Sequence, residues 1–187
     1  QYFVLLFGIL AGITTAKITK RFKFLIPIII ILMIPTQIKL LKEFYSRPAF
    51  AKITSSELQA LQFIKANTNQ KAVIVTPPYN QYLNLGGATP NIWDWFDTSY
   101  VSAFSARRTY FDDYEQADIM NYAWRPREEI KKIIFESSDE TLVKSALIKS
   151  QANIMYFPKV LRPKVDPKNI GLTRIFENEE TEVWQTN

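Results

Sequence analysis

The sequence predicts an α/β protein: an amino-terminal transmembrane helical hairpin followed by a small extracytoplasmic α/β sandwich with a mixed sheet. Three observations carry this. Two apolar stretches, YFVLLFGILAGITTA (residues 2–16) and FLIPIIIILMIPTQI (residues 24–38), open the chain. Short β-branched and aromatic runs then alternate with helical patterns, as in α/β layer folds. Finally, charge divides sharply. Residues 1–43 carry Lys17, Lys20, Arg21, Lys23, Lys39 and Lys42 against Glu43 alone, which equals the whole chain's net charge of +5.

The apolar stretches set the first expected domain, residues 1–43, with residues 44–187 as the second. A bilayer core of roughly 30 Å needs about 20 helical residues. Phe22–Leu41 meets that length, with Lys23 and Lys39 placed to snorkel. Pro27 and Pro35 are better tolerated in membrane helices than in exposed soluble ones. The connection KITKRFK is expected as a tight basic loop on the cytoplasmic side. Residues from about Ser46 would then lie outside. A signal peptide carries its charge before the apolar run, whereas here the charge follows the first run. Beginning at Gln1, the sequence is expected to be the carboxyl-terminal part of a longer chain.

The carboxyl-terminal part is large enough for one domain with its own core. Thr54 or Ser56 caps a helix, with Glu57 or Gln59 completing the capping box. Leu58, Leu61 and Ile64 form its stripe, and it ends near Ala66. Lys71–Thr76 reads as a buried strand stopped by Pro77-Pro78. A long loop follows, rich in Asn, Gly, Trp and Tyr, from Tyr79 to Ser99. Tyr100–Phe104 reads as a second strand, and Thr109–Glu115 as a further extended piece. Helices are expected over 115–121, from Pro126 to about Phe135, and from the Ser137-Ser138-Asp139-Glu140 start to about Ser150. Glu128-Glu129 and Lys131-Lys132 follow the sense of the helix dipole. Asn153–Phe157 reads as a third strand stopped by Pro158. Leu172–Glu177 and Thr181–Gln185 read as a terminal β-hairpin.

Composition excludes several chemistries. The chain has no Cys and no His. Disulfides, thiolate nucleophiles and His-based triads or zinc sites are therefore ruled out for this chain. The balanced charge beyond residue 43 argues against a nucleic-acid face. No cofactor and no metal site is expected; a divalent cation at Asp112-Asp113-x-Glu115 is the weaker alternative to a solvated acidic turn.

Two groups carry the binding chemistry. Arg107 and Arg108 suit bidentate recognition of phosphate or carboxylate; pairing with Asp112 or Asp113 is the alternative. Trp93, Asp94, Trp95 and Asp97 combine aromatic faces with carboxylates, as sugar recognition requires. Anchoring at a membrane interface, or plain core packing, are the other uses of that cluster. Tyr79, Tyr82 and Tyr100 either line a cavity or pack the loop. The segment PKVLRPKVDPK is expected as a solvated connection, with Lys159, Arg162, Lys164 and Lys168 able to meet anionic headgroups.

The phrases SSELQALQFIKANTNQKAVIVTPP, SARR, ANIMYFPK and LTRIFENEETEVWQT, following a last hydrophobic helix, resemble the tail of bacterial polytopic GT-C type membrane glycosyltransferases. These are the relatives of protein O-mannosyltransferases and aminoarabinose transferases, similar to glycosyltransferase family 39. The resemblance implies transfer of a sugar from a polyprenyl-phosphate carrier to a glycan or lipid acceptor on the outer face of the bacterial cytoplasmic membrane. It also implies that the catalytic acid lies upstream, in the first outer loop, so that no residue here is catalytic. The tail would cover the active-site cavity, hold carrier or acceptor, or stabilise the membrane part. A non-catalytic, membrane-anchored domain binding glycan or a partner protein is the alternative function.

Overall fold

A computed structural model describes residues 2–47, 49–79, 89–95 and 98–186. The chain forms two compact units, Gln1–Pro48 and Ala49–Asn187.

The first unit is two helices, α1 (Tyr2–Arg21) and α2 (Leu25–Ser46). The basic segment is not the loop expected from the sequence. Lys17, Lys20 and Arg21 complete α1, and only residues 22–24 connect the helices. No Gly or Pro lies between Lys17 and Arg21, Lys and Arg are good helix formers, and cations favour a helix carboxyl end. Among the described residues no helix is long and apolar enough to cross a membrane.

The second unit is α/β with a mixed sheet, as the sequence predicts. Helix α3 (Ser55–Asn67) starts at Thr54, whose Oγ1 accepts from the Glu57 backbone N–H at 3.1 Å. Strand β1 (Val73–Val75) follows. The expected strand at Tyr100–Phe104 is instead helix α4 (Tyr100–Ser105). The Ser105 hydroxyl donates to the Val101 carbonyl at 2.6 Å, and Ala106 ends the helix at φ 51°. Burial of Tyr100 and Val101 against α3 overrides the local β preference. Strand β2 is only Arg108–Thr109, shorter than the extended piece expected.

Helices α5 (Tyr114–Ile119), α6 (Arg125–Glu136) and α7 (Glu140–Ser150) come next. Strand β3 (Ile154–Pro158) includes the proline expected to stop it. Strands β4 (Leu172–Glu177) and β5 (Thr181–Thr186) form the terminal hairpin.

Among the described residues the strands make one sheet in the order β2-β1-β3-β5-β4. β1 is parallel to both β2 and β3, whereas β5 is antiparallel to both β3 and β4. Side chains alternate across it. Ile74, Ile154, Tyr156 and Val183 join α3 and α4 on one face. Val75, Met155, Phe157 and Trp184 join α6 and α7 on the other. The segment after β3 is not a solvated connection: Pro163, Val165 and Pro167 are buried in alternation with exposed residues. Its Lys159 pairs with Glu177 at 2.8 Å and its Arg162 with Asp166 at 3.2 Å.

A candidate cleft at the carboxyl ends of the parallel strands

In the order β2-β1-β3, the chain first steps from β1 to β2 and later returns to the other side of β1. That reversal opens a crevice beyond the carboxyl ends of the strands, the usual ligand position in α/β sheets. Thr76 and Pro77 follow β1, Asp112 follows β2, and Leu161 follows β3, and all line one cleft. Trp93, Trp95, Tyr79 and Tyr114 supply aromatic walls. The free space of the whole cleft is about 40 Å³, room for about three waters at roughly 10–15 Å³ each.

Residue 52 fixes the tryptophan segment. The Lys52 N–H donates to the Pro90 carbonyl at 2.9 Å, and the Ile92 N–H donates to the Lys52 carbonyl at 2.8 Å. A single 3-10 turn, Ile92–Asp94, then sets the two indoles around Asp94. The Trp95 ring lies 6.1 Å from that of Phe50, and Trp93 packs on the α3–α4 core. Burial raises the Asp94 carboxyl above its ordinary range. Tyr79 is raised as well, first by burial and then by the Asp94 charge.

The floor is polar and buried. Lys131 of α6 points inward, with its side chain 1% exposed. Its ammonium donates to Thr76 Oγ1 at 3.0 Å and to the Phe111 carbonyl at 2.7 Å. Asp112 Oδ1 accepts from the Thr76 hydroxyl at 2.7 Å and lies 3.9 Å from Lys131 Nζ. The rings of Phe111 and Tyr114 stand 5.7 Å and 5.5 Å from that ammonium, close enough for cation–π attraction. Burial lowers the Lys131 ammonium to about 8, although Asp112 pulls the other way. Burial likewise raises Asp112, against Lys131 and the Thr76 and Thr109 hydroxyls. Asp112 Oδ2 is buried without a hydrogen-bond partner.

Tyr100 joins the cleft to a second buried carboxyl. Its hydroxyl and that of Tyr156 each donate to Glu57 Oε1 at 3.3 Å. Glu57 is 1% exposed, and its Oε2 has no partner. Burial pushes Glu57 up to about 7, opposed by the Thr54 backbone and the two tyrosines.

The residues chosen from sequence divide between three fates. Trp93 and Trp95 line the cleft, Asp94 lies between them in the 3-10 turn, and Asp97 and Tyr82 lie outside the described residues. Arg107 is buried and does not pair with Asp112 or Asp113 in the contacts it makes. Its guanidinium donates to the Lys65 and Thr68 carbonyls, both at 2.7 Å, to Thr68 Oγ1 at 3.1 Å and to the Ala106 carbonyl at 3.1 Å. It thus caps the carboxyl end of α3. Arg108 is exposed on β2.

The acidic turn is dispersed rather than solvated as a unit. Asp112 is internal, Asp113 caps α5 by accepting from the Gln116 N–H at 3.0 Å, and Glu115 sits in that helix's first turn. No group of three metal-ligating side chains occurs among the described residues.

Sequence reasoning missed Lys131, assigning it to the helix dipole. The available signal was spacing: Lys131 stands between Ile130 and Ile134 on the buried face of α6. Beside the cleft, a larger groove of about 560 Å³ is lined by Phe111, Met120, Tyr122, Trp124 and Arg127. No protein-family model matches the chain, and no curated protein matches it significantly.

Proposed function

We propose that this chain is the carboxyl-terminal part of a membrane glycosyltransferase that moves a sugar from a polyprenyl-phosphate carrier to an envelope glycan or lipid acceptor. The α/β unit recognises the saccharide, and the catalytic acid belongs to membrane segments outside these residues. One observation carries the reading. Two tryptophans and two tyrosines surround a buried, charge-neutralised Asp–Lys–Thr floor at the switch point of the sheet. Aromatic faces meet sugar C–H surfaces, while fixed polar groups orient hydroxyls.

The membrane part of the proposal draws on the helical hairpin. Leu10, Ile13, Ile31, Leu32, Ile38 and Leu41 are all more than half exposed, a surface suited to lipid rather than water. Lys17, Lys20, Lys39 and Lys42 extend the apolar reach of the helices by snorkelling. The extracytoplasmic position of the α/β unit is inferred from the cations at the end of α1 and in the turn after it, Lys17, Lys20, Arg21 and Lys23.

Transfer of labelled sugar from a polyprenyl-phosphate donor, in membranes holding the full-length protein, tests the reading. Trp93→Ala and Trp95→Ala are each expected to lower transfer about tenfold at equal folded abundance. Absence of transfer by the unaltered protein with every donor tried, together with retained sugar binding, would replace it with a non-catalytic glycan-binding domain anchored in the membrane.

A further inference from the structure

We propose that the turn of residues 119–127 docks on the headgroup layer of an anionic lipid bilayer, with Ile119, Met120 and Tyr122 entering it and Arg125 and Arg127 meeting its phosphates. This rests on the membrane part of the proposed function and is independent of its glycan part. The turn is built, not merely exposed. After α5, Asn121 takes the left-handed conformation at φ 55°, which asparagine tolerates. The Tyr122 N–H donates to the Ala117 carbonyl at 2.9 Å and the Asn121 N–H to the Asp118 carbonyl at 3.0 Å, the paired bonds of a Schellman motif. The Met120 and Trp124 N–H groups donate to the Gln116 and Tyr122 carbonyls, both at 2.9 Å. Backbone groups satisfied in this way can leave water without losing a partner. An apolar residue after the left-handed position commonly packs back on the helix. Here Tyr122 is instead 66% exposed, with Ile119 at 66% and Met120 at 59% beside it.

Charge and aromatic content decide the partner. From Ile119 to Arg127 the sequence has two cations and no acid. Among the described residues neither arginine pairs with a carboxylate. The Arg125 guanidinium lies 5.3 Å from the centre of the Trp124 ring. That of Arg127 lies 5.7 Å from the centre of the Tyr110 ring and donates to the Tyr110 carbonyl at 3.2 Å. Of the acids flanking the turn, Asp118 accepts from Trp124 Nε1 at 3.3 Å, Glu128 pairs with Lys132 at 3.3 Å, and Glu129 stands exposed on α6. Tyr and Trp at the boundary of water and lipid are the usual membrane-interface residues, and guanidinium groups suit phosphate. A small soluble ligand is enclosed by its site over most of its surface, whereas the groove beside this turn is walled by Met120 and Tyr122, both more than half exposed. Groove and cleft adjoin through one aromatic block. Phe111 lines the groove and Tyr114 the cleft, their rings 4.6 Å apart, with Trp124 5.5 Å from Tyr114. Docking of the turn therefore brings the cleft close to the headgroups, where a lipid-linked sugar is presented.

The test uses the full chain in vesicles of phosphatidylcholine, with and without phosphatidylglycerol. The chain has no Cys, so a nitroxide label can be placed singly through Met120→Cys, Tyr122→Cys, Leu32→Cys on α2 or Ser138→Cys, all at exposed positions. With phosphatidylglycerol, the Met120→Cys and Tyr122→Cys labels are expected to collide more with oxygen than with a water-soluble nickel chelate, and the Ser138→Cys label the reverse. Arg125→Gln should lower the ratio of immersed to aqueous Met120→Cys label about fivefold, the share of one cation at an anionic surface. Without phosphatidylglycerol that ratio should be lower, and Arg125→Gln should leave it unchanged. Turn labels in water, with the Leu32→Cys label in lipid, would overturn the docking and leave the membrane anchor standing. Turn and Leu32→Cys labels all in water would overturn both. Turn labels shielded from oxygen and nickel alike would overturn lipid in favour of a protein surface, a second copy included. Immersion indifferent to phosphatidylglycerol would overturn the anionic headgroup as the partner.

Discussion

Glu57, Asp112 and Lys131 give the α/β unit an unusual dependence on pH, because burial disfavours the charged form of each. Glu57 is held at about 7 against its ordinary 4.5. Below 4.5 it is protonated whether the chain is folded or not. Between 4.5 and 7 the folded chain keeps a proton that the unfolded chain releases, so stability falls as pH rises, by something on the order of 3 kcal/mol. Asp112, also raised, acts with the same sign. Lys131, lowered to about 8 from 10.5, acts oppositely: the unfolded chain binds more protons between those values, so stability rises with pH there. Thermal unfolding across pH 4–11 should therefore show a minimum between about pH 7 and 8. Glu57→Gln should flatten the acid limb and Lys131→Met the alkaline one; limbs unmoved by these changes would refute the assignment.

Arg107 supports a separate prediction at this scale. Arg107→Lys keeps the charge but loses the fork that reaches several carbonyls at once, and should destabilise by about 1–3 kcal/mol. A lower urea midpoint at unchanged slope checks this. The sequence shows that Arg107 is apt for anions, but its choice of backbone carbonyls depends on where α3 ends relative to β2. That relation is long-range and leaves no local trace. Lys131 was hidden for the opposite reason, since charged residues on helices are ordinarily solvated.

At the scale of elements, legibility followed the number of independent local signals. Helix α3 had a cap, an apolar stripe and an Asn-rich end, and the terminal hairpin had two β-rich runs around Glu177–Glu180; both stand close to where those signals put them. Helix α4 had only a short run of aromatic and β-branched residues, and packing against α3 decided its form. Strand β2 is two residues long, too short for any periodicity. Strand order is likewise unreadable locally, and the cleft depends on it. Among the described residues, two helices end directly on a non-glycine residue in the left-handed region, Ala106 after α4 and Gln151 after α7. Gln151 closes α7 in the left-handed region at φ 56°, where glycine carries no Cβ penalty. Gln151→Gly should stabilise the unit by about 0.5–1 kcal/mol, the left-handed penalty relieved less the entropy glycine adds to the unfolded chain, seen as a higher unfolding midpoint. A drop would mean that the side chain contributes more than the backbone relief.

At the scale of the whole molecule, the two units differ in what their surfaces ask of the solvent. The α/β unit places its large apolar residues mostly within two clusters, one on each face of the sheet. The hairpin instead exposes Ile31 at 64% and Leu32 at 69%, among many others. Charge follows the same division, with the excess cation confined to residues 1–43. A chain so divided should hold to membranes through alkaline carbonate and leave them only with detergent. Because it contains no Cys, orientation is open to single-cysteine labelling. Ser138 is exposed on the α/β unit, and Lys23 is exposed in the turn between α1 and α2. In intact cells a membrane-impermeant maleimide should label the Ser138→Cys chain and spare the Lys23→Cys chain until the membrane is opened. Reversed labelling would put the α/β unit in the cytoplasm, away from any outer-face acceptor. Release by carbonate would remove lipid as the partner of Ile31 and Leu32 and, with it, access to a polyprenyl-linked donor.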